Sequence, residues 1–297
     1  MAGFAGELWS LHEFLRPRSL IGSKGVSIMD FTRREMMIIA AAREIKDGET
    51  LLTGAYWPIL PSILAKRTHA PNAVFVFEGG MVCNWAPARI PLIAHDPANL
   101  SCAVMCGELL DTLGSVVHGG WADVGVLSAS LVDKYGNVDT TCVGDYLNPR
   151  VRLPGSGGAS DIASSAKRVI IILEQSRDRF PEKVDFITTP VFLQGSDSRE
   201  KAGLRPSGPN VVVTDLGVFR FEEDSKEMYL NSYHPGASVD EIKANVGWEL
   251  KISPQLEETE PPTPLELKVL REEVDPMGMY LRDIRLQGFI SGQRKDS

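Results

Sequence analysis

The chain has 297 residues, 43% of them hydrophobic and 24% charged, enough apolar material for a sizeable core in one large domain or two small ones. A formal net charge of -8 and a pI near 5.3 argue against nucleic acid or an anionic membrane as the main partner, although a local basic pocket for a phosphate-bearing ligand stays compatible with them. No apolar run is long enough for a transmembrane helix.

Residues 1–28 mix aromatics with Arg16, Pro17 and Arg18 and lack the apolar core of a signal peptide, so they read either as a poorly ordered extension or as a start placed too early. One domain is expected over 29–282, followed by a polar tail over 283–297. Asp30 and Thr32 can cap a helix, and 36–45 (MMIIAAAREI) continues it to Asp47-Gly48. Thr50–Thr53 is a short strand, 58–67 a helix closed by Pro71, and 73–77 (AVFVF) a fully apolar strand between Pro71-Asn72 and Gly79-Gly80. Further helices are expected over 107–117, 159–166, 238–245 and 264–273, and strands over 124–130, 169–173, 184–187, 211–214 and 229–233. Strands alternating with helices predict an α/β fold, an open, mostly parallel sheet flanked by helices.

Glu78 directly follows the apolar run AVFVF. Ligands of open α/β sheets bind at the carboxyl ends of the strands, so a carboxylate there, with Gly79 and Gly80 leaving room for a ligand, is a candidate nucleophile or base. Local sequence alone leaves open a strand-end glutamate that meets only solvent or a lysine. The run Gly155-Ser156-Gly157-Gly158 can turn successive N–H groups toward a phosphate or an oxyanion. It matches neither a dinucleotide fingerprint nor a P-loop nor a nucleophile elbow, and a plain turn is the simpler alternative.

Tyr56, Trp57, Met81 and Trp85 are candidates for an apolar wall by position, with ordinary packing as the competing role. His95 and His118 could line a site, although loop or core roles suit isolated histidines equally. Lys66-Arg67, Arg150 with Arg152, and Lys167-Arg168 read as solvated faces, one of which could meet a phosphate. Cys83, Cys102, Cys106 and Cys142 have no metal-site spacing and read as reduced, buried thiols of a cytoplasmic protein; no metal site is expected.

The segments AKRTHAPNAVFVFEGG, DKYGNVDTTCVGDYLNP, RLPGSGGASDIAS, VVVTDLGVFRF and LREEVDP follow one another from Ala65 to Pro276. In this order they resemble the B subunits of class I coenzyme A transferases, with the glutaconate CoA-transferase B subunits as the nearest group. The resemblance implies an open α/β domain of the CoA-transferase type, coenzyme A as substrate with no tightly bound cofactor, and a homologous A subunit as partner, with the active site near their interface. It also implies that Glu78 is a covalent nucleophile carrying CoA as a glutamyl thioester, and that Gly155, Ser156, Gly157 and Gly158 supply oxyanion-hole amides. Gly79 departs from the family pattern, which often has Asn or Ser there. A CoA-ester or ring-opening hydrolase on the same scaffold, and a non-catalytic ligand-sensing subunit, are the alternatives.

Overall fold

The computed structural model describes residues 30–281 apart from Ala55 and Pro209. The expected extension 1–28 and tail 283–297 lie outside the described residues.

Helix α1 (Arg33–Arg43) begins at a capping box: Thr32 accepts from the Glu35 amide at 3.2 Å and the Glu35 carboxylate accepts from the Thr32 amide at 2.7 Å. Its MMIIAAA run is buried throughout, which marks it as a core helix rather than an amphipathic surface one. Strand β1 (Thr50–Thr53) follows, then α2 (Ile59–Arg67) and β2 (Val74–Val76). Lys66, expected to be solvated, is buried between them and donates to the carbonyls of Pro71 (2.6 Å) and Ala73 (2.7 Å). It thereby fixes the turn that feeds β2. Burial holds its ammonium below the usual lysine value.

Strands β3 (Met81–Cys83) and β4 (Ala103–Cys106) extend the sheet antiparallel from β2. Next come β5 (Val124–Ser128), the small hairpins β6–β7 (Leu131–Val132, Val138–Asp139) and β8–β9 (Cys142–Gly144, Pro149–Arg152), helix α3 (Ala159–Ser165) and β10 (Arg168–Ile172). Strands β11 (Val211–Val213), β12 (Gly217–Phe221), β13 (Met228–Tyr233) and β14 (Lys251–Glu258) complete a ten-stranded sheet in the order β14-β13-β12-β11-β10-β5-β1-β2-β3-β4. Its centre, β2-β1-β5-β10-β11, is parallel. The central strands are apolar on both faces because a hydrophobic cluster covers each side. From β1 the chain runs first to β2 on one side and later to β5 on the other, so the switch point of the topology lies at β1.

Several expectations change. The segment 184–187 forms no strand, since its neighbourhood pairs only through the single bridge between Val138 and Thr189. Strand β14 is not among the expected strands; it ends in the acidic residues Glu257 and Glu258, and its partner β13 supplies the ladder that its composition does not announce. Arg168 is buried and holds the Glu49 carboxylate at 2.7 Å rather than facing water. Cys83 and Cys102 are joined as a disulfide with their Cα atoms 5.0 Å apart, whereas the sequence suggests free thiols; Cys106 and Cys142 are free. No helix among the described residues is long and apolar enough to cross a membrane.

Two glycines set the height of the elements that matter for function. A Cβ at Gly125, in the middle of β5, would lie 2.2 Å from Ile162 Cγ2, so only glycine lets α3 settle this close to the sheet. Gly80 has φ +95 and would place a Cβ 2.1 Å from the Gly107 carbonyl oxygen. Gly80→Ala is therefore expected to lower stability by more than the about 1–2 kcal/mol of left-handed strain alone, read as a clear drop in Tm.

Candidate active site

Glu78 is the first residue of a three-residue hairpin loop between β2 and β3. The Phe77 amide donates to the Met81 carbonyl at 2.9 Å and the Gly80 amide to the Phe77 carbonyl at 3.0 Å. The left-handed Gly80 closes the loop, the usual form of a three-residue hairpin connection. Thr112, on the π-type helix Leu110–His118, is buried and donates to the Glu78 carbonyl at 3.1 Å. The backbone of Glu78 is therefore fixed on two sides at the carboxyl end of a parallel strand. Nothing in the sequence around Thr112 announces this role.

The glycine-rich run arrives at the same edge from across β1. After β5 the chain makes its two small hairpins and returns through Gly155–Gly158 into α3, which runs back along the sheet toward β10. The Gly155 amide donates to the Thr140 carbonyl at 2.7 Å and anchors the start of the run, and the Ser156 carbonyl accepts from Ala159 at 3.0 Å and closes its end. Gly157 has φ +50 and Gly158 φ -81, a left-handed to right-handed succession that turns neighbouring N–H groups to one side. The Gly157 amide has no acceptor among the described residues. A Cβ built on Gly158 would lie 2.8 Å from both Cδ and Oε1 of Glu78, and one on Gly157 4.0 Å from Oε2. The sequence-predicted carboxylate and the sequence-predicted glycines thus meet, and the backbone of Gly158 is packed against the carboxylate.

Burial pushes the Glu78 carboxyl above its ordinary value. The Gly158 amide and the charge of His95 pull it down, and the Asp161 carboxylate pushes it up again. Asp161 lies on the first turn of α3 and bonds His118 Nε2 at 2.9 Å, while His118 Nδ1 lies 3.0 Å from Ser165 Oγ on the same helix. His118 therefore pins α3 to the end of the π-type helix that also holds Glu78 through Thr112.

His95 reaches the site from a loop after β3. The same loop, through Pro91, Ile93 and Ala94, lines a narrow crevice with Thr53, Gly54 and Phe77 at the carboxyl ends of β1 and β2. Asp96 anchors it: the buried carboxylate accepts from the amides of Ala98 (2.8 Å) and Leu92 (2.9 Å) and pairs with both terminal nitrogens of Arg89. Burial alone would raise its pKa, but those hydrogen bonds and the guanidinium outweigh it and hold the group at about 2. The stabilisation this gives is present above the unfolded value near 3.8 and is lost as pH falls through about 2. Asp96→Asn is expected to lower Tm at pH 7 and to flatten its fall between about pH 4 and pH 2, as thermal melts across that range will show.

The other candidates stand apart. Trp57 packs on the core, 6.5 Å from the ring of Tyr280, with the Arg34 guanidinium 5.7 Å from its ring centre. Trp85 is half exposed and donates its indole N–H to the Ser101 carbonyl. Tyr56, at the end of β1, is exposed with φ +64. Met81 is buried in the core beside the hairpin. Among the described residues no cluster of His, Cys, Asp or Glu is arranged to hold a metal ion.

A carboxylate half withdrawn from water, met by the Gly158 amide at a strand end, is equipped to attack a carbonyl beside a glycine backbone that can stabilise an oxyanion. The model of the coenzyme A transferase family matches residues 34–245, which span both Glu78 and the glycine run. The chain belongs to the coenzyme A transferase family. Together with the CoA-transferase relatives that follow, the match makes it a chain of an enzyme of CoA transfer between an acyl-CoA and an acid. It is 39% identical to the B subunit of 3-oxoadipate CoA-transferase from Pseudomonas knackmussii over 251 residues, covering 81% of this chain and 92% of that protein. It is 33% identical to the B subunit of glutaconate CoA-transferase from Acidaminococcus fermentans over 261 residues, covering 85% and 96%. The crystal structure of glutaconate coenzyme A-transferase from that organism superposes with a TM-score of 0.79 at 32% identity, over 85% of this chain and 98% of the other.

Proposed function

We propose that this chain is the B subunit of a CoA-transferase in which Glu78 carries CoA between two carboxylic acids, at least one of them a dicarboxylic acid. The observation that carries this reading is the packing of the Gly157-Gly158 backbone against the Glu78 carboxylate at the end of β2. Two relatives, named for 3-oxoadipate and for glutaconate, support the substrate class, since both names denote dicarboxylic acids. Both are B subunits, which supports a homologous A subunit as partner in a hetero-oligomer.

The geometry supports the following chemistry. The Glu78 carboxylate attacks the thioester carbonyl of the donor. Negative charge develops on that oxygen, and the amides of the Gly157-Gly158 segment meet it; donors of this kind contribute about 2.7–4 kcal/mol each in other enzymes. The C–S bond breaks, CoA leaves as thiolate, and an acyl-glutamyl anhydride remains. The thiolate then attacks the glutamyl carbonyl, the donor acid leaves as carboxylate, and Glu78 holds CoA as a thioester. The acceptor acid reverses the sequence. Burial helps twice: it raises the basicity of the carboxylate, and it keeps water from both intermediates.

Transfer is favoured over hydrolysis because the carboxylate itself is present and packed for attack. The test is acceptor dependence. The purified complex of this chain and its A subunit, given acyl-CoA alone, is expected to release no more than one equivalent of acid and no free CoA. Adding glutarate should start turnover with ping-pong kinetics. Steady release of free CoA without an acceptor would contradict transfer.

A further inference from the structure

Gly79 follows Glu78 at the tip of the hairpin, and the structure shows what the missing side chain admits. A Cβ there would lie 2.9 Å from the Ala94 carbonyl oxygen, 3.0 Å from His95 Cδ2 and 3.2 Å from His95 Cα. Any larger residue would push the His95 segment away from the hairpin tip that bears Glu78. The segment is also held from behind. The fully buried Asn99 donates to the Ala94 carbonyl at 3.1 Å, and the Asp96 amide donates to the Ile93 carbonyl at 3.1 Å. This loop is built to bring one side chain to the site.

That side chain is uncommitted. His95 is exposed, no hydrogen bond joins its imidazole to a described residue, and its charge acts on Glu78. The charged groups around it are accounted for. Glu78 and Asp161 are carboxylates, and the Arg89 guanidinium is spent on Asp96. A hydrogen-bond donor beside the Glu78 carboxylate, its ring bonded to no described residue, suits an anionic group brought in by the substrate. The reacting carboxyl of an acid substrate is engaged with Glu78 and the glycine amides. Only a second carboxylate, a few carbons along the same molecule, would still need a donor.

Taking Glu78 as the attacking group, we infer that His95 is a specificity-determining residue that binds the remote carboxylate of a dicarboxylic acid, or of its CoA ester, while the near carboxyl reacts. Gly79 is the device that admits it. A monocarboxylic acid of the same length leaves His95 unused.

The test compares two acceptors of equal chain length, glutarate and valerate, with acetyl-CoA as donor, in the complete complex carrying wild-type chain, His95→Ala or His95→Gln. In His95→Ala the KM for glutarate is expected to rise about tenfold or more relative to the KM for valerate, while any change common to both acceptors reports the charge that His95 lends to Glu78. His95→Gln, which keeps a donor, should recover part of the loss. Equal losses toward glutarate and valerate would overturn the inference, since a structural role would not distinguish them; so would an unchanged KM for glutarate. If the wild-type complex transfers no CoA at all, the transferase reading falls, yet calorimetry with glutarate on the same proteins still decides the point. Weaker binding by His95→Ala than by wild type upholds the inference, and equal binding overturns it.

Discussion

Glu78→Gln is expected to lower kcat by roughly four orders of magnitude or more, the scale seen when a covalent nucleophile is removed, while Tm stays at or above the wild-type value. The two halves of this result have one cause. Burial raises the carboxyl of Glu78 in the folded protein above its value in the unfolded chain. A group shifted in that direction stabilises the fold below its unfolded pKa, and that contribution is lost as pH rises through its folded pKa. At neutral pH the ionised carboxylate is therefore held at a cost in stability, and the neutral amide removes that cost. Glu78→Asp separates charge from reach: it keeps the carboxylate but draws it back by one methylene from the glycine amides. A loss of about 10²-fold is expected from such a misplacement. The acid limb of kcat/KM in the wild type should fall at a pH above that of an ordinary glutamate, and a limb at or below that value would contradict the assigned burial.

Gly158→Ala should give the second large effect, and on activity rather than on folding. With φ -81 the backbone at Gly158 accepts alanine without strain, so Tm is expected to hold or rise slightly. The new Cβ, however, would lie 2.8 Å from Cδ and Oε1 of Glu78, closer than any relaxed contact, and no backbone can yield there because α3 is seated on Gly125 through Ile162. The carboxylate must move instead. A loss of about 10²-fold in kcat/KM is expected, with the protein folded by circular dichroism. Gly157→Ala is the informative contrast. Its Cβ would be 4.0 Å from Oε2, but φ +50 makes the backbone strained, so stability should fall first. Identical activity losses in the two variants would mean that the carboxylate is not seated against Gly158.

The sequence made some of this legible for physical reasons. AVFVF reads as a buried parallel strand because its residues are apolar on both faces, and the residue after such a strand stands at the edge where ligands bind. Glu78 is legible on that ground as a candidate beside a plain strand-end glutamate, and the family resemblance is what singles it out as a nucleophile. The glycine run is legible as backbone that can converge its amides, but nothing local says that it meets Glu78, because β1 and β5 stand between them in the sheet and their contact exists only in the fold. The roles of Thr112 and of Lys66 depend on where distant carbonyls arrive, so neither leaves a local pattern. The missed strand β14 and the absent strand at 184–187 share one cause. A ladder depends on its partner, and β13 offers one to an acidic segment while nothing offers one to an apolar segment. Gly79 is visible as a departure from a family pattern, and its meaning emerges only from the packing of Ala94 and His95 against it.

Mass spectrometry of the peptide carrying Glu78 tests the account most directly. Borohydride added during turnover with acyl-CoA should reduce the glutamyl-CoA thioester to the alcohol, lowering the mass of that peptide and leaving every other acidic residue unchanged. An unaltered Glu78 peptide under conditions of full turnover, or the same reduction at another carboxylate, would contradict it.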